Sequence, residues 1–167
     1  KNEDLPFFEP TSSNLGAGSF VPAFKSESGR SPNLMLSIRV GDQVLADSKI
    51  AKVDLIKIDV EGFERSVLQG LESTMQSSRP LVVMELNVVP ETGFQTRDQL
   101  VQSFPGNYNF FKFTRETSIE EILYSGKYHF TDFNFIFDPN THVDLIAVPA
   151  EKLDYLPPFS LPRNHRN

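Results

Sequence analysis

The sequence predicts an α/β domain built on a parallel strand–helix–strand unit, and three observations predict it. Val53-Asp54-Leu55-Ile56-Lys57-Ile58-Asp59-Val60 is apolar on both faces, as a strand inside a parallel sheet must be. Phe63, Val67, Leu71 and Met75, joined by Leu68, then recur at helical spacing on one face. Leu81-Val82-Val83-Met84-Glu85-Leu86 is a second doubly apolar run. Strand, helix and strand joined by short links form a right-handed unit. Its strands, 53–60 and 81–86, should therefore be adjacent and parallel, with one helix over 63–77 between them.

The other elements follow in chain order. Residues 1–33 carry Pro6, Pro10, Pro22 and Pro32 without a sustained period, and read as an irregular lead-in. Gly16-Ala17-Gly18 lies in that segment with no strand before it and Pro22 after it, so it reads as a glycine-rich turn rather than a phosphate loop. Leu34, Leu36, Ile38 and Val40 alternate as in a strand with one buried face, and Asp42 is placed to cap a short helix through Asp47. Thr96 is placed to cap a helix through Phe104, and 108–113 reads as a strand. Ser118-Ile119-Glu120-Glu121 fits a capping box. Phe133, Phe135 and Phe137 alternate, and 143–148 is a final strand closed by Pro149. Residues 1–150 are thus one domain, and 151–167, with three more prolines, form an extended arm.

Composition limits the chemistry. The 167 residues carry a net charge of −6, which gives no bulk attraction for nucleic acid or anionic lipid. No apolar run approaches the ~18 residues of a membrane span. The absence of cysteine excludes disulfides, thiolate metal sites and a thiol nucleophile. No Gly-x-Ser-x-Gly elbow is present. The phenylalanines from Phe104 to Phe137 lack interleaved basic residues and read as core rather than as a base-stacking platform.

Ligands of open α/β sheets bind outside the carboxyl ends of the parallel strands. Asp59 and Glu61 close the first strand of the unit, and Glu85 with Asn87 closes the second. Lys57, Asp59 and Glu61 share one strand face, where Lys57 needs a partner, either Glu85 or Asp59. Asp59, Glu85 and Asn87 also offer hard oxygens of the kind that suit Mg²⁺, although any solvated strand edge offers the same. His129, with Asp132 to orient it, is a candidate base or substrate contact, while His129, His142 and His165 have no metal-ligand spacing.

Residues Val53 to Glu64, with Val67-Leu68-Gln69-Gly70, Arg79-Pro80 and Glu85, closely resemble the D-L-I-K-I-D-V-E-G-x-E, V-L-x-G and R-P…E signature of FkbM-like methyltransferases. Asn14-Leu15-Gly16 with Ser19, and 144–149, are similar to weaker features of that family. The resemblance implies a class I, Rossmann-like fold, with a mostly parallel sheet, helices on both faces and S-adenosylmethionine as cofactor. The acceptor it implies is a sugar or natural-product hydroxyl. Asp59 would then end the fourth strand beside the transferred methyl group, with Val60 also toward the cofactor, and Glu85 would end the fifth. Glu61 and Glu64 match motif positions, with Glu64 facing solvent or capping the helix. Catalytic candidates are Asp59, Glu61 and Glu85, and substrate-binding candidates are Lys57, Asn87 and His129.

The family's G-A-N-x-G loop and its acidic Glu-Pro are missing here, so the resemblance covers the C-terminal half of the domain. Most contacts to S-adenosylmethionine are therefore expected outside this chain, which begins at Lys1 and reads as processed or partial. The alternative is a non-catalytic, methyltransferase-like module of a larger assembly, or a homo-oligomer, joined through the C-terminal arm. An intracellular, cytoplasmic setting is expected, with an organelle as the alternative.

Overall fold

Two apolar runs separated by a helical stripe have one low-energy arrangement, and the computed structural model shows it. Residues 1–9, 18–21, 34–87, 89, 92–113, 130–132 and 142–155 are described. In chain order they form β1 (Glu3–Phe7), β2 (Leu34–Ile38), α1 (Gly41–Asp47), β3 (Leu55–Ile58), α2 (Glu64–Gly70), α3 (Glu72–Ser78) and β4 (Leu81–Asn87). Then come α4 (Arg97–Gln102), β5 (Tyr108–Phe113), β6 (Phe130–Asp132), β7 (His142–Pro149) and a closing 3-10 helix (Ala150–Tyr155). β3 and β4 pair in parallel, Leu55 opposite Leu81 and Ile58 opposite Met84.

The larger sheet has the order β3-β4-β7-β5-β6 and is mixed, which corrects the expectation of a mostly parallel sheet. β7 is antiparallel to β4 and to β5, and β6 is antiparallel to β5. Because β4 and β5 both oppose β7, the strands β3, β4 and β5 run one way and β7 and β6 the other. Apolar patterning does not encode strand direction, since β7 presents buried Leu145 and Ala147 on one face whichever way it runs.

One face of this sheet carries the main core. Ile58, Val82, Met84, Leu86, Leu145 and Ala147 pack there against Leu68 of α2, Met75 of α3 and Leu100 of α4. The rings of Phe104 and Phe110 meet edge-on at 5.0 Å in the same cluster, so these phenylalanines are core, as their context indicated. On the opposite face, Phe111 and Val148 pack with Leu81, Ile146 and Leu153, the last from the 3-10 helix. Among the described residues, no α-helix contributes to that second cluster.

The single helix expected over 63–77 is two helices, broken at Leu71 (φ −118°, ψ 19°). Asp42 explains why the break is tolerated. Its carboxylate accepts from the Ser73 and Thr74 N–H groups at 2.8 and 3.0 Å and from the Thr74 hydroxyl at 2.6 Å, so it caps α3 from a distance rather than its own helix. Thr96 does cap α4, accepting from Gln99 N–H at 3.2 Å. The irregular lead-in contains β1, which pairs antiparallel with β2 in a separate two-stranded sheet. β2 lacks the buried face its alternation implied: Leu34, Met35 and Leu36 are exposed, Met35 at 62%. The capping box at 118–121 and the alternating phenylalanines at 133–137 lie outside the described residues, as does the arm beyond Tyr155.

Arg79 ties the other end of the unit. It leaves α3 in a left-handed conformation (φ 44°). Its guanidinium donates to both carboxylate oxygens of Glu151 and to the carbonyls of Gly106 and Asn107, and it lies 5.1 Å from the Tyr108 ring centroid. Lys152 Nζ donates to the carbonyls of Ser78 and Arg79, satisfying groups that the end of α3 leaves open. The bond from Arg79 holds Glu151 well below its ordinary value of 4.5, at about 2, and burial pushes the Tyr108 phenol up to about 12.

Replacing Arg79 with alanine removes this fork and should lower stability at neutral pH, by loss of two carbonyl bonds and of the pair with Glu151. Glu151 has a depressed folded pKa, so its contribution is present above the unfolded value of 4.5 and is lost as pH falls toward about 2. Unfolding curves of the two proteins from pH 7 to pH 2 should therefore converge on the acid side; a difference that widens there would contradict the pairing.

Candidate functional site

A parallel pair brings two strand exits to one edge, and here those exits carry the polar residues of the sequence motif. Asp59 immediately follows β3, and continuing the β3–β4 register by one residue sets it beside Glu85, whose partner on β7 is Asp144. Lys57, Asp59, Glu85 and Asp144 alternate with the buried Ile58, Met84 and Leu145, so they share the sheet face opposite the helices. The lysine partner is Asp59, at Nζ–Oδ2 2.5 Å, and both groups are open to solvent, with the Asp59 side chain 46% exposed. A buried ion pair was one expectation for Lys57; the pair is at the surface because β3 is an edge strand of the described sheet. Leu55, on the same face, is 59% exposed.

The chain then turns through two residues in the left-handed region, Glu61 (φ 49°) and Gly62 (φ 92°). A Cβ on Gly62 would also come within 2.5 Å of Val89 Cγ2, so glycine is required twice over. Three side chains from three segments hold this turn. Ser19 Oγ donates to the Glu61 carbonyl at 2.8 Å, Thr92 Oγ1 donates to the Gly62 carbonyl at 2.7 Å, and Gly62 N–H donates to Glu64 Oε1 at 2.8 Å. Val21 N–H in turn donates to Ser19 Oγ at 3.0 Å, and the Phe20 ring packs 5.6 Å from that of Phe63. Val60 is half-buried and lines a cavity of about 500 Å³ with Phe20, Ile38, Phe63, Val67 and Leu71.

Glu64 departs most from expectation. Read as facing solvent or capping the helix, it is 0% exposed, with its carboxyl turned back on the turn. Burial pushes this carboxyl above its ordinary value. The N–H groups of Gly62 and of Glu64 itself and the Asn87 side-chain amide pull it down, and the nearby charge of Glu61 pushes it up. A signal for this was present, because Glu64 stands four residues before Leu68 and so belongs to the apolar stripe of the helix.

Asp59 and Glu85 are thus brought together with Lys57, whereas Glu61 sits in the turn and Asn87, 3% exposed, turns to Glu64. The oxygen set of Asp59, Glu85 and Asn87 is therefore not assembled, and among the described residues no group of three or more His, Cys, Asp or Glu is placed to hold a metal ion. His129 lies outside the described residues. No helix among the described residues is long and apolar enough to cross a membrane. The clamps from Ser19 and Thr92 were missed, because nothing local marks a hydroxyl that acts on a turn 42 or 30 residues away.

The model of the methyltransferase FkbM domain matches residues 9–130, nearly three quarters of the chain. Comparison with curated proteins and with solved structures gives no match.

The burial of Glu64 has a consequence for pH. Its folded pKa is raised, so the folded state holds the proton more tightly, and stability falls as pH rises from the ordinary 4.5 toward the folded value. Glu64→Gln keeps the acceptor oxygen but cannot ionise. It should stay within about 1.5 kcal/mol of the parent at pH 4, as a volume-conserving swap does, and gain relative to it at pH 8. Thermal unfolding at the two pH values measures this, and an equal difference at both would contradict it.

Proposed function

The chain belongs to the FkbM methyltransferase family, and on that premise we propose that it forms the acceptor side of an S-adenosylmethionine-dependent O-methyltransferase. The observation that carries this reading is the position of Asp59: a solvent-open carboxylate at the exit of a parallel strand, beside a turn built by the family's motif. The residues present fit the cofactor on this side. Asp59 supplies a carboxylate suited to a cationic sulfonium or to ribose hydroxyls on the open face of the sheet, and Val60, next in the chain, lines a cavity bounded by aromatic rings on the helix side. When bound, the cofactor supplies an electrophilic methyl group. The remaining contacts are assigned to the half of the family's domain that carries the G-A-N-x-G loop. The exposed Leu55 on the edge of β3 supports that division, since a further strand beside β3 would cover it.

The chain's own residues perform positioning and proton handling. Lys57 holds one carboxylate oxygen of Asp59 and leaves the other to accept a hydrogen bond from a sugar or small-molecule hydroxyl. Asp59 orients that hydroxyl and takes its proton as the oxygen attacks. Glu85, beside Asp59, adds negative charge that favours a polyhydroxylated acceptor over an anionic one. A second reading, a non-catalytic module of a larger assembly, draws support from the exposed Leu34, Met35 and Leu36 on β2.

In the full-length protein, Asp59→Asn keeps the side chain's size and removes its basicity. Methyl transfer to a panel of hydroxyl acceptors, read as release of S-adenosylhomocysteine, should fall by ~10²-fold or more. The melting temperature should hold, because Asp59 is not in the core. Glu72→Gln, exposed on α3, is the control and should be silent in both assays. Full activity of Asp59→Asn, or its unfolding, would remove Asp59 from the mechanism.

A further inference from the structure

Glu64 is a wholly buried carboxyl that the proposed chemistry does not use. A buried carboxyl is costly wherever a neutral group would serve. A serine or asparagine preceding the helix satisfies a turn's N–H groups in most proteins, at lower cost. What a glutamate at this position adds is reach. Oε1 takes the Gly62 N–H at the exit of β3, while the Asn87 amide at the exit of β4 lies against the same carboxyl. Oε2 is buried without a hydrogen bond among the described residues, so the Gly62 N–H is the bond that fixes the carboxyl. The two exits it joins are those that carry Asp59 and Glu85.

From this geometry we infer that Glu64 is a positioning residue: it braces the exit turn of β3 from the buried side and thereby fixes the backbone that carries Asp59. The left-handed Glu61–Gly62 turn has several competing conformations unless its polar groups are held. Ser19 and Thr92 hold its carbonyls, and Glu64 holds its N–H, so the brace completes the set. The hydrogen bond is the operative element, not the charge, and glutamine should replace glutamate. The inference rests on the proposed methyl transfer only for what the braced edge serves.

The test uses the full-length protein with Glu64→Gln and Glu64→Met, two replacements of similar volume of which only the first can accept from Gly62. Hydrogen exchange of the Gly62 amide should accelerate about 10-fold or more in Glu64→Met and stay within about twofold in Glu64→Gln. Affinity for S-adenosylmethionine by calorimetry should weaken about 10-fold in Glu64→Met and be restored in Glu64→Gln. Unchanged Gly62 exchange in Glu64→Met, or a glutamine variant as impaired as the methionine one, overturns the inference. Should Glu64→Met not fold, the parent protein decides: the Gly62 amide proton and the Glu64 carboxyl carbon should titrate with one midpoint by NMR, and separate midpoints overturn it. A parent protein that binds no S-adenosylmethionine removes the methyltransferase reading, while the exchange data still judge the brace.

Discussion

The parallel pairing of β3 with β4 is the constraint on which the remaining geometry depends. Two parallel neighbours cannot be joined by a hairpin, so the chain must leave β3, cross one face of the sheet and return to the starting end. That crossing lays Leu68 and Met75 over Ile58 and Met84, which builds the main core. It also leaves both carboxyl ends at one edge, where Asp59 and Glu85 lie side by side and the Glu61–Gly62 turn follows Asp59. Core and crevice are two consequences of one crossover.

Short elements make that crossover depend on distant polar groups. α1, α2 and α3 have seven residues each, too few to persist alone in water. Their open N–H and C=O groups are satisfied from elsewhere: Asp42 caps α3 at one end, and Lys152 covers its carbonyls at the other. Arg79 joins the same end to Glu151, Gly106 and Asn107. The Glu61–Gly62 turn is treated in the same way by Ser19, Thr92 and Glu64. Irregular or interrupted backbone is thus tolerated wherever a side chain from another segment meets it.

Among the described residues, Leu34, Met35 and Leu36 on β2, Ile50 before β3 and Leu55 on the edge of β3 are exposed. A doubly apolar strand at a sheet edge is unusual, since such composition belongs to strands with neighbours on both sides. The strand's sequence is therefore suited to a wider sheet than the described one.

What the sequence alone determined was periodic or contiguous. The β3–helix–β4 unit, its parallel pairing, the Thr96 cap and the final strand, read as 143–148 and observed as His142–Pro149, were legible because each rests on local apolar spacing or on one nearby residue. The motif from Asp54 to Glu64 likewise identified the family. Tertiary structure decided the rest: the direction of β7, the break at Leu71, the surface character of the Lys57–Asp59 pair, the remote cap by Asp42 and the burial of Glu64. In each case the deciding partner stands far off in the chain, or is a sheet neighbour whose presence no local pattern records. Glu64 shows the boundary most plainly. Its place on the apolar stripe was readable, but a buried carboxyl is stable only where Gly62 N–H and Asn87 converge on it, and that convergence exists only once β3 and β4 lie side by side.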